Sequence, residues 1–203
     1  TGERIRESKR QWWLRGVYVG APSFGYTSQA RVKRELVAGG MDPHDAQVHA
    51  QEKVPYVPGI VVHEEEAEVV RHIFGAYVRE GLGARAIAAD LNGRGLLKQG
   101  RRWSQQGVGK VLRDPKVAGF VHFDEESFKA QRRHSKAPRH RQELRDGKHE
   151  AIISTELWGR AQRLMDMRRR QLAVAREGSR IYPLTGVLFD LHEHQMRGGS
   201  SGR

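Results

Sequence analysis

Amide and cationic side chains recur on one side of a predicted short helix between Ser104 and Asp114-Pro115. Ser104 is a good N-cap, and the Asp-Pro pair stops a helix. Such side chains bind base edges in a DNA major groove, or phosphates. The candidates for base contacts are Gln105, Gln106 and Lys110, and those nearer phosphates are Arg101, Arg102, Ser104 and Arg113. From this segment alone, a merely solvated basic face is an equally good explanation.

Two packed helices are needed to present these side chains. The first has an apolar face at helical spacing, made by Ala84, Ile87, Ala88 and Leu91, and it stops at Asn92-Gly93. The second has an inner face made by Val108, Val111 and Leu112. We expect Trp103 to pack in the core, and Gly109 to lie on the outer face, where Gly107 and Gly109 allow close approach to DNA. The pattern predicts a helix-turn-helix.

The composition favours a polyanionic partner. The chain has 203 residues, with 36 Lys+Arg against 24 Asp+Glu and a formal net charge of +12. An excess of this size points to nucleic acid. Cysteine is absent, which excludes disulfides and thiolate metal sites. No apolar run reaches the roughly 20 residues of a membrane span, and the start does not resemble a signal peptide, so a cytoplasmic protein is expected.

The elements before this pair are mostly helical. Residues 1–15 read as the last turns of a longer helix, and an extended linker follows from Gly16 to Pro22. Helices are predicted over Ala30–Ala38 and from Asp42-Pro43 to about Lys53, with no function assigned to them. The strongest helix pattern is His63–Glu80, in which three glutamates complement the helix dipole. Their consecutive positions disfavour a metal site.

The elements after the pair mix strand, loop and helix. Val117–Phe123 has strand composition, and Glu156–Arg170 has the pattern of a helix that precedes a linker at Arg176–Arg180. The stretch Lys129–Lys148 is so basic and so poor in apolar residues that a loop is predicted. Its candidates for phosphate contacts are Arg132, Arg133 and Arg139, although a solvated charged loop fits as well.

The order of these segments resembles the DNA-binding part of large serine recombinases. The matching stretches are ERIRESKR with RGVYVGAPSFGY, EEEAEVVRHIFGAYVREGLGARAIAADLNGRG, GRRWSQQGVGKVLRDPKVAGFV, HEAIISTELWGRAQRLMDMRR, and LTGVLF with MRGGS. The resemblance implies a mainly α fold with small β elements, namely a helical DNA-binding domain that contains a helix-turn-helix. The implied parts are the end of the catalytic-domain long helix (1–15), a linker (16–27), the recombinase domain (28–178) and an incomplete zinc-ribbon-like segment (179–203).

The resemblance assigns no catalytic residue to this chain. Ser8 lies in the trailing helix and does not match the family's nucleophile motif. The segment after Phe189 lacks the family's CxxC pair, so no cofactor is expected. Asp190, His192 and His194 remain weak candidates for a zinc site.

The implied role is to direct a recombinase to its DNA attachment site for integration or excision by strand exchange. Arg15 and Tyr18 join the DNA-contact candidates, because the family's linker crosses to the minor groove. The implied partners are double-stranded DNA and, in the full-length protein, further copies in a dimer and tetramer, with neither membrane nor nucleotide. A bacterial or phage-encoded, nucleoid-associated protein is expected, and a monomer for this piece alone.

Three other readings are open. A stand-alone DNA-binding regulator or decoy fits the same features, except for the helix-interior start. An RNA-binding domain lacks support, because no aromatic stacking platform is evident. An independent enzyme lacks a recognisable catalytic constellation.

Overall fold

The computed structural model describes residues 2–18, 20–123 and 143–178. Most of these residues are helical, as the sequence predicts. The elements in chain order are α1 (Gly2–Leu14), β1 (Tyr26–Thr27), α2 (Gln29–Ala38), α3 (Pro43–Lys53), β2 (Val61–Val62), α4 (Glu64–Val78), α5 (Ala84–Gly93), α6 (Gln105–Arg113), a 3-10 helix (Pro115–Ala118), β3 (Phe120–Phe123), β4 (Glu143–Asp146) and α7 (Thr155–Gly178). The chain divides into two compact units, residues 1–162 and 163–203.

Helix α4 is the central support of the first unit. Ile73 and Phe74 are fully buried on it, and both α5 and α6 pack against it. Its first turn holds Glu64, Glu65 and Glu66, whose negative charges stabilise the positive end of the helix dipole. The apolar face therefore orients the helix, and the helix-turn-helix pair rests on it.

Helices α2 and α3 pack against each other as a helical hairpin with a small core of its own. Ser28 caps α2, and Asp42 caps α3, whose first residue is Pro43. The core consists of Val32, Ala50 and Val54, with Leu36 and Val61 packed against it. The strands β1 and β2, which flank the hairpin in sequence, pair antiparallel, with Tyr26 opposite Val62. The hairpin is therefore an insertion between the two paired strands β1 and β2.

The predicted strand at Val117–Phe123 is wrong in its first part, where the chain forms a 3-10 turn. Asp114 causes this turn, because its carboxylate accepts a hydrogen bond from the Lys116 N–H at 3.1 Å and Pro115 presets the backbone. Gly119 closes the turn at φ +84°, and only then does β3 begin. Local capping thus overrides the strand preference of valine.

The predicted loop Lys129–Lys148 is wrong at its end, because Glu143–Asp146 is the strand β4. It pairs antiparallel with β3, with Phe120 opposite Asp146. The Arg145 guanidinium lies 4.5 Å from the Trp13 ring centroid, and the Trp13 indole donates to the Val121 carbonyl at 3.3 Å. Backbone pairing and an aromatic partner distant in sequence therefore replace the missing apolar residues.

The closing helix is longer than predicted. It begins after Ser154, whose hydroxyl accepts from the Leu157 N–H, and it runs through Gly178. The predicted linker at Arg176–Arg180 is therefore helical up to Gly178, because Gln171–Glu177 contains no Gly or Pro to stop the helix. Among the described residues, no helix is both long and apolar enough to cross a bilayer.

Candidate nucleic-acid interface

Helix α6 has a buried apolar face and an exposed polar face. Ser104 caps it as predicted, because its hydroxyl accepts from the Gly107 N–H at 3.1 Å. Val108, Val111 and Leu112 are buried beneath it. The side chains exposed on the other face are Gln105, Gln106, Lys110 and Arg113. Within the described part of the chain, neither glutamine side chain forms a hydrogen bond, so both amides are available to a partner.

Gly109 is buried rather than exposed on the outer face, which corrects the sequence-based prediction. The residue is buried, partly because Arg113 folds back over it and donates to its carbonyl at 3.0 Å. A Cβ at position 109 would lie 3.3 Å from Arg113 Nη1. Gly109 therefore makes room for an arginine of its own helix, and Arg113 is partly committed to the helix end.

One amide side chain, that of Asn92, ties the end of α5 to the residue just before the start of α6. Asn92 accepts from the Trp103 N–H at 2.8 Å and donates to the Trp103 carbonyl at 2.9 Å. Trp103 itself is only 4% exposed and meets the Phe24 ring edge-on at 4.9 Å. The predicted packing role of Trp103 is confirmed, and the start of α6 is held at a definite place against α5.

A tight turn precedes α6. The Lys98 N–H donates to the Arg101 carbonyl at 2.8 Å, and the Arg101 N–H donates to the Lys98 carbonyl at 3.0 Å. Its two central residues, Gln99 and Gly100, have φ values of +50° and +77°. Arg101 and the following Arg102 are exposed. These cations add to the positive end of the α6 dipole, so this end of the helix attracts anions.

The base of that turn is anchored in aromatic side chains. The Lys98 ammonium lies 5.3 Å from the Trp103 ring centroid and 5.8 Å from that of Phe24. Burial lowers the pKa of Lys98, and the charge of Lys110 on α6 lowers it further. The ammonium of Lys98 is therefore within electrostatic reach of Lys110 on α6.

Tyr18 is linked to the other end of α6 by Lys116, which contacts both the Tyr18 ring and Asp114, the residue at which the helix stops. The Lys116 ammonium lies 3.2 Å from the Asp114 carboxylate and 4.9 Å from the Tyr18 ring centroid. The Tyr18 hydroxyl donates to the Ala21 carbonyl at 2.6 Å. Burial, followed by the charge of Asp114, raises the pKa of Tyr18 to about 12. The phenol is therefore neutral, and its ring ties the predicted linker to the end of α6.

The predicted linker is anchored at its start as well. Val17 is buried, and the Gly16 carbonyl accepts from the Lys148 N–H at 2.9 Å. Arg15 is exposed, with its guanidinium 5.7 Å from the Trp12 ring centroid. Arg15 therefore lies just after the end of α1, apart from the DNA-contact candidates on α6.

The remaining sequence candidates lie outside the described residues. These are Arg132, Arg133 and Arg139 of the basic stretch, and Asp190, His192 and His194 of the terminal segment. Among the residues that are described, no three His, Asp or Glu side chains are grouped as metal ligands. The acidic residue Glu66 has another partner, because it pairs with Arg31.

Sequence reasoning missed three residues of this interface, namely Asn92, Lys98 and Gln99. The sequence predicts Asn92 only as a helix stop, although a side-chain amide beside a helix end can also bind backbone across a turn. The Gln99-Gly100 pair carried a recognisable signal, since glycine in this position is typical of tight hairpin turns. The anchoring of Lys98 depends on Phe24, which is distant in sequence, and no local signal predicts it.

A family model described as Recombinase matches residues 64–168, which is just over half of the chain. No curated protein matches the sequence. One similar solved structure is the crystal structure of a large serine recombinase in complex with DNA, at 17% identity and a TM-score of 0.50, over 80% of this chain and 39% of that one. Another concerns the attP site of a Listeria innocua prophage, at 17% identity and a TM-score of 0.50, over 80% of this chain and 51% of that one.

These matches agree with the family that the order of segments resembles. The matched region contains the support helix α4, the pair α5–α6 and the first part of α7. The structural likeness extends over most of the described fold, although the chain spans only about 39% and 51% of the two solved proteins. The chain belongs to the recombinase family, as a region with the fold of the DNA-binding part of large serine recombinases.

Proposed function

We propose that this chain binds double-stranded DNA sequence-specifically and so directs a serine recombinase to its attachment site for integration or excision. The observation that carries this proposal is the division of α6 into two faces. Its apolar face is buried on α4 and α5, whereas its amides and Lys110 face solvent. A short helix of this kind enters a major groove, where amides and cations bind base edges.

The charge and the family support the same role. A net charge of +12 gives the attraction to phosphates that precedes any base recognition. One structurally similar protein was solved in complex with DNA. In the proposed role, strand exchange and assembly into dimers and tetramers belong to the whole recombinase, and this region recognises the DNA attachment site.

The proposed contacts divide by position. Gln105, Gln106 and Lys110 bind base edges, while Arg101, Arg102 and Ser104 bind phosphates at the start of the helix. Arg113 binds phosphate near the end of the helix. Arg15 and the small residues Gly20, Ala21 and Pro22 approach the minor groove, with Tyr18 holding that segment against the body.

Substitution of Gln106 tests base reading. A duplex is first selected from a random pool by the wild-type chain, and every position of that duplex is then varied. We expect Gln106→Ala to lose preference at one or two base pairs, by about 1–3 kcal/mol for a bidentate contact, and to keep its affinity for unrelated duplexes. Binding is measured by fluorescence anisotropy against duplexes with single changes.

The matched control is Gln51→Ala, because Gln51 is also an exposed glutamine on a helix, but on α3. It should leave every affinity unchanged. A uniform loss with Gln106→Ala would make Gln106 a non-specific contact. Failure of the wild-type chain to select any duplex would refute the proposed function.

A further inference from the structure

The turn Lys98–Arg101 has a tip residue that its backbone does not explain. Gln99 is the only non-glycine residue with positive φ in the described part of the chain. Tight turns with two positive φ values favour Asn-Gly or Gly-Gly, because a longer side chain is strained in this conformation. A glutamine here therefore goes against the local steric preference, and strain of this kind is often found where a side chain has a function.

The turn is held rigidly, in spite of its exposed tip. Its two ends exchange backbone hydrogen bonds at 2.8 and 3.0 Å. The Lys98 ammonium lies over the rings of Trp103 and Phe24. Because Trp103 leads directly into the capped start of α6, the turn and the helix share one anchor, so the position of the tip relative to α6 is fixed.

The tip is open, and exposed cations lie beside it. A Cβ at Gly100 would meet no atom within 4 Å, so the chain leaves free space around the tip. Arg101 and Arg102 are exposed beside it, and neither forms an ion pair with any described carboxylate. Lys110, on the outer face of α6, is close enough to contribute, after burial, to the lowered pKa of Lys98. Exposed cations are therefore present both beside the turn and on the outer face of α6.

We propose that the Lys98–Arg101 turn is a second DNA-contacting element, in which the Gln99 amide and the Arg101 guanidinium bind backbone phosphates beside the groove that α6 enters. This inference rests on the proposed function, because it places the turn relative to the same duplex. Phosphate is the partner that fits an amide donor and a guanidinium without regard to base sequence. Lys98 is a positioning residue, since its ammonium is directed to the aromatic rings.

Two substitutions separate contact from structure. Gln99→Gly removes the amide and relieves the backbone strain, so the variant should be no less stable to urea than the wild type. We nevertheless expect it to bind the selected duplex and a scrambled duplex with affinity lower by about tenfold. Arg101→Ala should weaken both in the same way and reduce the slope of log affinity against log salt by about one.

Matched variants complete the experiment. Arg101→Lys should restore the salt slope, because it keeps the charge. Arg34→Ala, which removes an exposed arginine from α2, should leave affinity and slope unchanged. All affinities are measured by anisotropy over a range of KCl concentrations, with stability measured in parallel by urea unfolding.

The two proposals fail in different ways. If Gln99→Gly and Arg101→Ala bind as the wild type does while Gln106→Ala loses its base preference, the second contact is refuted. The proposed function then stands, without Arg101 among its phosphate contacts. If the wild-type chain selects no duplex, both fail together. If Gln99→Gly loses discrimination among bases rather than overall affinity, the assignment to phosphate is overturned.

Discussion

His149 is buried with its two ring nitrogens in unequal surroundings. Nε2 lies 2.9 Å from the Lys116 carbonyl, and Nδ1 has no hydrogen-bond partner among the described residues. The ring meets Tyr26 edge-on at 5.3 Å. This geometry fits the neutral tautomer with the proton on Nε2, because that nitrogen then donates to the carbonyl. Burial is the main reason why the pKa of His149 lies below its ordinary value of 6.5.

A pH dependence of stability follows from His149. Between its lowered pKa and 6.5, the unfolded chain binds a proton that the folded chain does not, so the free energy of unfolding falls as the pH falls through this window. We expect His149→Gln to make this dependence shallower. Urea unfolding between pH 7 and about pH 5 measures it.

The control for this prediction is His44→Gln, because His44 is an exposed histidine on α3. That variant should keep the wild-type dependence on pH. An unchanged dependence in His149→Gln would mean that His149 is protonated as readily in the folded chain as in the unfolded one.

At the scale of elements, the joint between α5 and α6 depends on the amide of Asn92. An aspartate there keeps the acceptor for the Trp103 N–H but loses the donor, and it places a negative charge against the Trp103 carbonyl. We expect Asn92→Asp to lower the free energy of unfolding by about 1–3 kcal/mol. Because α6 is then less firmly held, affinity should fall equally for the selected and scrambled duplexes.

Urea unfolding and anisotropy together check this prediction. Gln105→Ala serves as the opposite case, since Gln105 is exposed on α6 and contributes no hydrogen bond among the described residues. It should change base preference and leave stability as it is. Equal stability of Asn92→Asp and wild type would contradict a role for the two Asn92 hydrogen bonds.

The helices could be predicted because their signals are local. Ser104 as a cap, Asp114-Pro115 as a stop and the apolar spacing of α4 and α5 each act within a few residues. The strand β4 was missed because it exists through pairing with β3, and the basic stretch that precedes it carries no apolar pattern. The buried state of Gly109 was missed for a similar reason, since the position of the Arg113 side chain decides it.

At the scale of the whole molecule, one largely buried ion pair joins the α2–α3 hairpin to the central helix. The Arg31 guanidinium binds both carboxylate oxygens of Glu66, at 2.8 and 3.1 Å, and both side chains are 11% exposed. Glu66 also accepts from the Gly25 N–H at 2.9 Å. The hairpin, for which the sequence suggested no function, is thereby fastened to the same helix that supports α6.

Loss of this pair should destabilise the first unit. Glu66→Gln leaves the Arg31 charge without its buried partner, and we expect the free energy of unfolding to fall by about 3 kcal/mol. Glu35→Gln is the matched control, because Glu35 binds the same guanidinium at 2.8 Å but is 53% exposed. It should cost less than about 1 kcal/mol. Equal effects of the two variants in urea unfolding would contradict this account.

The two glutamines on the outer face of α6 can be substituted without disturbing the fold. Since neither amide contributes a hydrogen bond to the described fold, substitution at positions 105 and 106 carries little folding penalty. In the proposed role, the DNA sequence that α6 binds can therefore be changed by substitution at these positions while the fold is kept. A library randomised at these two positions should remain folded, which makes α6 the starting point for changing the DNA sequence that this chain binds in the proposed role.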